Sequence, residues 1–211
     1  MAATAAVTLP QGDTAEIAYA TQFWDETESL VKESEQINRA MIVPAVSELR
    51  YGGRKLIDYL NALSRNDEKS RRTHLEDFVQ CCIRARHDAV DAIISYITLY
   101  LEELEASISA DLIGRVFTDY DQLKKDLFNC ANLIAQSRRD RESRNKIYSV
   151  ISSDYVARLI SGYRRLSEVR IELFAEQQSR DRMQHRASWA IAFAMALLGA
   201  SLLGVLLASF I

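Results

Sequence analysis

The chain has 211 residues, 26 Lys plus Arg against 29 Asp plus Glu, and a formal net charge of −3. That balance excludes a strongly basic nucleic-acid-binding domain, and 7 Gly with 2 Pro leave too few turn formers for a sheet protein with many tight connections. Three cysteines, two of them adjacent (Cys81, Cys82, Cys130), fit neither a zinc site nor a redox CxxC pair and read as small buried hydrophobes.

The leader MAATAAVTLP has no basic segment and too little apolar length for a secretory signal. Residues 1–12 are therefore expected to be a disordered leader, and residues 13–178 a cytoplasmic helical bundle. In every long segment of that body apolar residues recur at alternating spacings of three and four, which is the pattern of helices that bury one stripe. Phe23, Thr27, Leu30, Ser34, Ile37 and Met41 mark a first helix with a partly polar seam. A second is marked by Ile42, Val46, Leu49, Gly53, Leu56, Leu60 and Leu63. Proline fits a first helical turn but breaks an interior, so Pro44 places a boundary near Val43.

The polar stretch 64–70 should reverse the chain, with Ser70 or Thr73 capping the next helix. Ile83, Val90, Ile94, Ile97, Leu101, Leu104 and Ile108 then trace a third helix. Ile93, Tyr96, Leu99 and Tyr100 widen its stripe, which implies burial against more than one neighbour. A cap among Ser107, Ser109 and Asp111 opens a fourth helix running from Ile113 through Tyr120, Leu123, Leu127 and Cys130 to Ile134. The polar run SRRDRESRNK is either a second turn or an exposed helical bridge, and a fifth helix is expected from about Ser153, through Tyr155, Leu159, Gly162, Leu166 and Val169 to Leu173. Long helices joined by short polar turns predict an all-α fold, an antiparallel bundle of four to five long helices followed by one C-terminal transmembrane helix.

That last element rests on residues 187–211, ASWAIAFAMALLGASLLGVLLASFI, which hold no charged side chain and reach the roughly 20 apolar residues of a membrane span. The expected topology is tail-anchored and single-pass. Arg180, Arg182 and Arg186 occupy a basic neck at residues 179–186, and their excess on this flank places the body in the cytoplasm. Trp189 is the expected interfacial anchor. An Arg-rich, cysteine-poor chain suits a bacterial inner membrane.

Charge is unevenly distributed along the body. Lys32 stands alone against seven acids up to Glu35, whereas Arg dominates from Arg138 to Arg186. The basic end adjoins the apolar run and can meet anionic headgroups at about 1 kcal/mol per side chain, or pair with the acidic N-terminal segment. Ala192, Ala196, Ala200, Gly204 and Ala208 recur at every fourth position, a small-residue ridge that lets spans approach closely. The expected partners are thus the bilayer and either a second copy or another membrane protein, with no nucleic acid.

Candidate chemistry is sparse. Arg50, Arg54 and Lys55 flank Gly52 and Gly53, and could contact an anion were the chain to leave the helix there. With the heptad unbroken through Gly53, close approach of another helix explains the glycines better. His74 with Asp77, and His87 with Asp91, each make half a metal site, so neither metal nor cofactor is expected. No phosphate loop, nucleophile elbow or His–Glu zinc motif occurs. These features favour a non-enzymatic scaffold or interaction module on a membrane, with a membrane-permeabilising effector as the alternative. A third reading comes from Arg180 to His185, which is similar to the Arg-x4-His pattern of helical ribonucleases of the HEPN class and would imply RNA cleavage by that pair.

Overall fold

A computed structural model describes residues 12–208, with side-chain surroundings described through Ala196. All secondary structure among the described residues is helical. Helix α1 (Asp13–Asn38) ends where Arg39 adopts a left-handed conformation, φ 53°, and α2 (Val43–Ser64) starts with Pro44 in its first turn. The expected boundary at Val43 is the observed one. Between α2 and α3 (Glu68–Ser107) the cap is Asp67, whose carboxylate accepts from the Ser70 amide, and not Ser70 or Thr73. Capping needs the side chain before the first helical turn, and the helix already begins at Glu68.

Ser109 caps the short α4 (Ala110–Val116) by accepting from the Leu112 amide. The expected single fourth helix is broken at Phe117, which is extended and buried, and resumes as α5 (Tyr120–Arg139). The next helix starts nine residues before the expected Ser153, since α6 (Arg144–Ile151) grows out of the polar run itself. A π turn, Ser152–Val156, joins it to α7 (Ala157–Glu168), and Val169 separates that from α8 (Arg170–Ala208). The expected long helices of the C-terminal half are thus shorter and more numerous than the heptad count implied.

Helix α3 is the spine, about 60 Å long at 1.5 Å per residue. Its first half packs in a three-helix unit: α1 runs parallel to it, as Ser34 donating to the Ala89 carbonyl and Arg86 facing Glu26 show, and α2 runs antiparallel, with Lys55 on Asp77 at 2.7 Å. The second half of α3 packs on α7, where Tyr163 meets Tyr96 and Tyr100 edge-on, and α5 lies antiparallel to α7. Ile93, Tyr96 and Tyr100 of the widened α3 stripe face this second unit, which is why one stripe could not hold them, whereas Leu99 is exposed.

Two glycines mark the closest approaches. A Cβ on Gly52 would lie 3.3 Å from Cβ of Cys81, so α2 meets α3 there as expected. On Gly162 it would lie 3.1 Å from a methyl of Leu123, where α7 meets α5.

Helix α8 docks by its first turns and then leaves the body. Leu173 is fully buried, and Arg180 pairs with Glu176 at 3.4 Å and Asp111 at 3.9 Å. The expected neck at residues 179–186 is continuous helix. Among the described residues no helix is long and apolar enough to cross a membrane. Side chains 197–211, the greater part of the expected span, with Ala200, Gly204 and Ala208 of the ridge, lie outside the described residues, as does the leader to residue 11.

Candidate functional site

The two halves of the bundle share α3 but bury separate apolar clusters. Helices α1 and α6 both rest on α3 and diverge above it, leaving a cleft of about 430 Å³. Ile83, Arg86 and His87 of α3 form its floor. Tyr19 and Phe23 of α1, with rings stacked at 5.6 Å, make one wall. The opposite wall is Asn145, Tyr148 and Ser149 of α6, extended by Ser152 and Ser153 of the π turn. A π turn inserts one extra residue per turn and re-aims the side chains beyond it, and such turns concentrate at functional sites.

His87 is buried, and its ring stacks on Tyr148 with centroids 4.0 Å apart. Burial first, then the guanidinium groups of Arg144 and Arg86, push its pKa down to about 4, so the imidazole is neutral at physiological pH. Tyr148 donates from its hydroxyl to Asp91 at 2.7 Å, and burial together with that bond pushes its phenol up to about 12. Asp91 therefore serves Tyr148, and the half metal site expected of His87 with Asp91 is spent on a stacked and hydrogen-bonded pair. Among the described residues no group of three or more metal-ligating side chains converges.

Arg86 brings the positive charge of the floor. Its guanidinium lies 5.5 Å from the Phe23 ring centroid and 3.5 Å from Glu26, at the limit of a hydrogen bond. Cation–π contact of this kind holds the group over an aromatic wall without neutralising it.

The other sequence candidates lie elsewhere. Helix α2 is unbroken through Gly52 and Gly53, so the chain does not leave the helix. Arg54 pairs with Asp58 at 3.2 Å, Lys55 with Asp77, and Arg50 lies over the Tyr51 ring at 5.2 Å. The cysteines are free and buried, and burial pushes the thiols of Cys82 and Cys130 up to about 12, far from a nucleophilic thiolate. On α8, Arg182 donates to the Gln178 carbonyl at 3.3 Å, while His185 and Arg186 are exposed. Trp189, Ile191, Phe193 and Met195 are 76, 66, 68 and 67% exposed, and Ala192 and Ala196 are exposed with them.

Sequence reasoning missed the cleft. Its residues come from segments more than a hundred positions apart, and the heptads mark which side chains are apolar without marking where two helices part. The chain matches no family model, no curated protein and no solved structure.

Proposed function

We propose that the chain is a non-enzymatic helical bundle tethered to a membrane through the apolar half of α8, where it organises partners at the cytoplasmic face. The observation that carries this reading is the departure of α8 from the body. Beyond Arg180 the helix continues to Ala208, about 40 Å, and Trp189, Ile191, Phe193 and Met195 stand on several sides of it with nothing of the bundle over them. An uncharged helix that exposes large side chains all round needs an apolar partner, and lipid supplies one without a matching surface. Arg180, Arg182 and Arg186 precede the run, where a cytoplasmic flank carries its positive charge.

Fractionation tests this directly. Full-length protein should sediment with membranes, resist alkaline carbonate, and leave its bundle open to protease from the cytoplasmic side. The double substitution Leu198→Arg with Leu202→Arg, near the middle of residues 187–211, should release it, since each Arg near a span centre costs about 3 kcal/mol. Wild-type protein recovered in the high-speed supernatant would end the proposal. Dye entry into expressing cells separates the tether from a membrane-permeabilising effector, because only the effector admits dye.

A further inference from the structure

We propose that the cleft between α1, α3 and α6 binds a small planar aromatic anion, its ring against Tyr19 and Phe23 and its acid group on Arg86. Several independent features converge on this class of ligand. At about 430 Å³ the cleft falls within the roughly 300–1,000 Å³ of small-ligand sites. Aromatic rings stand on both diverging helices, Tyr19 and Phe23 on one and Tyr148 on the other, and flat ligands gain most from offset or edge contact with such rings.

Charge selects the sign. Arg86 lines the floor, and Arg144 sits 5.7 Å from the Tyr148 ring centroid at the start of the same wall. Of the carboxylates nearby, Asp88 is half-buried on α3, Asp91 accepts from Tyr148, Asp154 accepts from Ser153 at 2.7 Å, and Glu26 accepts from Gln22 at 2.9 Å and meets Arg86 at 3.5 Å. An acid group on Arg86 displaces only that longest contact and forms a charge-assisted bond in its place. Neutral His87 and the hydroxyls of Ser149 and Ser152 complete the polar side without adding a charge that a ligand must match. The site does not rest on the membrane reading and is equally available whether or not the chain is tethered.

The test is calorimetric titration of the full chain in detergent micelles with sodium 2-naphthoate, against protein-free micelles. Saturable one-to-one binding is expected. Arg86→Gln, at a partly exposed position, should weaken it by about tenfold or more while the helical melting curve is kept. Ser152→Trp, which fills the cleft, should abolish it. Cyclohexanecarboxylate, with the charge but no aromatic ring, should bind about tenfold more weakly. The proposal is overturned by naphthoate heats that do not saturate, by affinity unchanged in both variants, as dissolution in the apolar run would give, or by equal affinity for the two acids.

Discussion

The imidazole of His87 stacks on the ring of Tyr148 at 4.0 Å, and the Tyr148 hydroxyl donates to Asp91, so one aromatic pair ties α6 to the spine. Helix α6 begins in a polar run and has no side-chain cap bond at Ser143, so this tie fixes where it lies. Burial first, and then the charges of Arg144 and Arg86, keep His87 neutral.

That neutrality makes stability depend on pH. With its pKa lowered to about 4 from 6.5, His87 takes up a proton in the unfolded chain before it does so in the folded one. The contribution is complete above pH 6.5 and is lost as pH falls toward 4, for a total of about 3 kcal/mol. Urea unfolding followed by circular dichroism should show the midpoint falling between pH 7.5 and 5. His87→Gln should flatten that part of the profile, and a wild-type slope retained in the variant would assign the effect elsewhere.

The glycines on α2 and α7 should respond in opposite directions. A methyl on Gly53 would sit 3.6 Å from the Trp24 ring, an ordinary contact, so Gly53→Ala should stabilise by about 0.5–1 kcal/mol through helix propensity. At Gly162 the Leu123 methyl is already 3.1 Å from where Cβ would be, closer than an ordinary contact. Gly162→Val should therefore destabilise by about 1–3 kcal/mol. Denaturant midpoints at constant m-value distinguish the two.

The partly polar seam of α1 is structural. Ser34 is buried and donates to the Ala89 carbonyl of α3 at 3.1 Å, whereas the neighbouring seam residue Thr27 donates within its own helix to the Phe23 carbonyl. Ser34→Ala should cost roughly 1 kcal/mol in chemical denaturation, because the bond between helices is lost while the acceptor keeps its place in the α3 ladder. A cost indistinguishable from zero would show that the hydroxyl contributes only volume.

Much of the bundle could be read from periodicity, and the remainder was hidden for identifiable causes. The buried positions Leu101, Leu104, Leu123, Leu127, Leu159 and Leu166 all fall on expected stripes, since a helix that buries one face must repeat near 3.6. Met41 and Leu60 also fit the spacing yet are exposed, Met41 because α1 has already ended at Asn38. The break at Phe117 escaped notice because it carries neither glycine nor proline: a buried aromatic ends α4 by inserting into the core rather than by refusing helical angles. The run SRRDRESRNK fits a turn or an exposed helical bridge equally by its charges, and α6 starts inside it because Arg and Lys are good helix formers. The cleft depends on the divergence of α1 from α6, a relation between helices that no single stripe encodes.

Docking of α8 onto the body rests on Leu173. It is fully buried near α4, whereas Ile171, two residues earlier on the same helix, is 83% exposed. Leu173→Ala should remove about 2–5 kcal/mol of packing, while Ile171→Ala should change stability by less than about 0.5 kcal/mol. Arg180 is held by Asp111 and Glu176, so loss of the Leu173 contact should also free it. Trypsin under native conditions should then cut at Arg180 several times faster in Leu173→Ala than in Ile171→Ala. Equal cutting rates would mean that the ion pairs, and not the leucine, hold the first turns of α8 against the bundle.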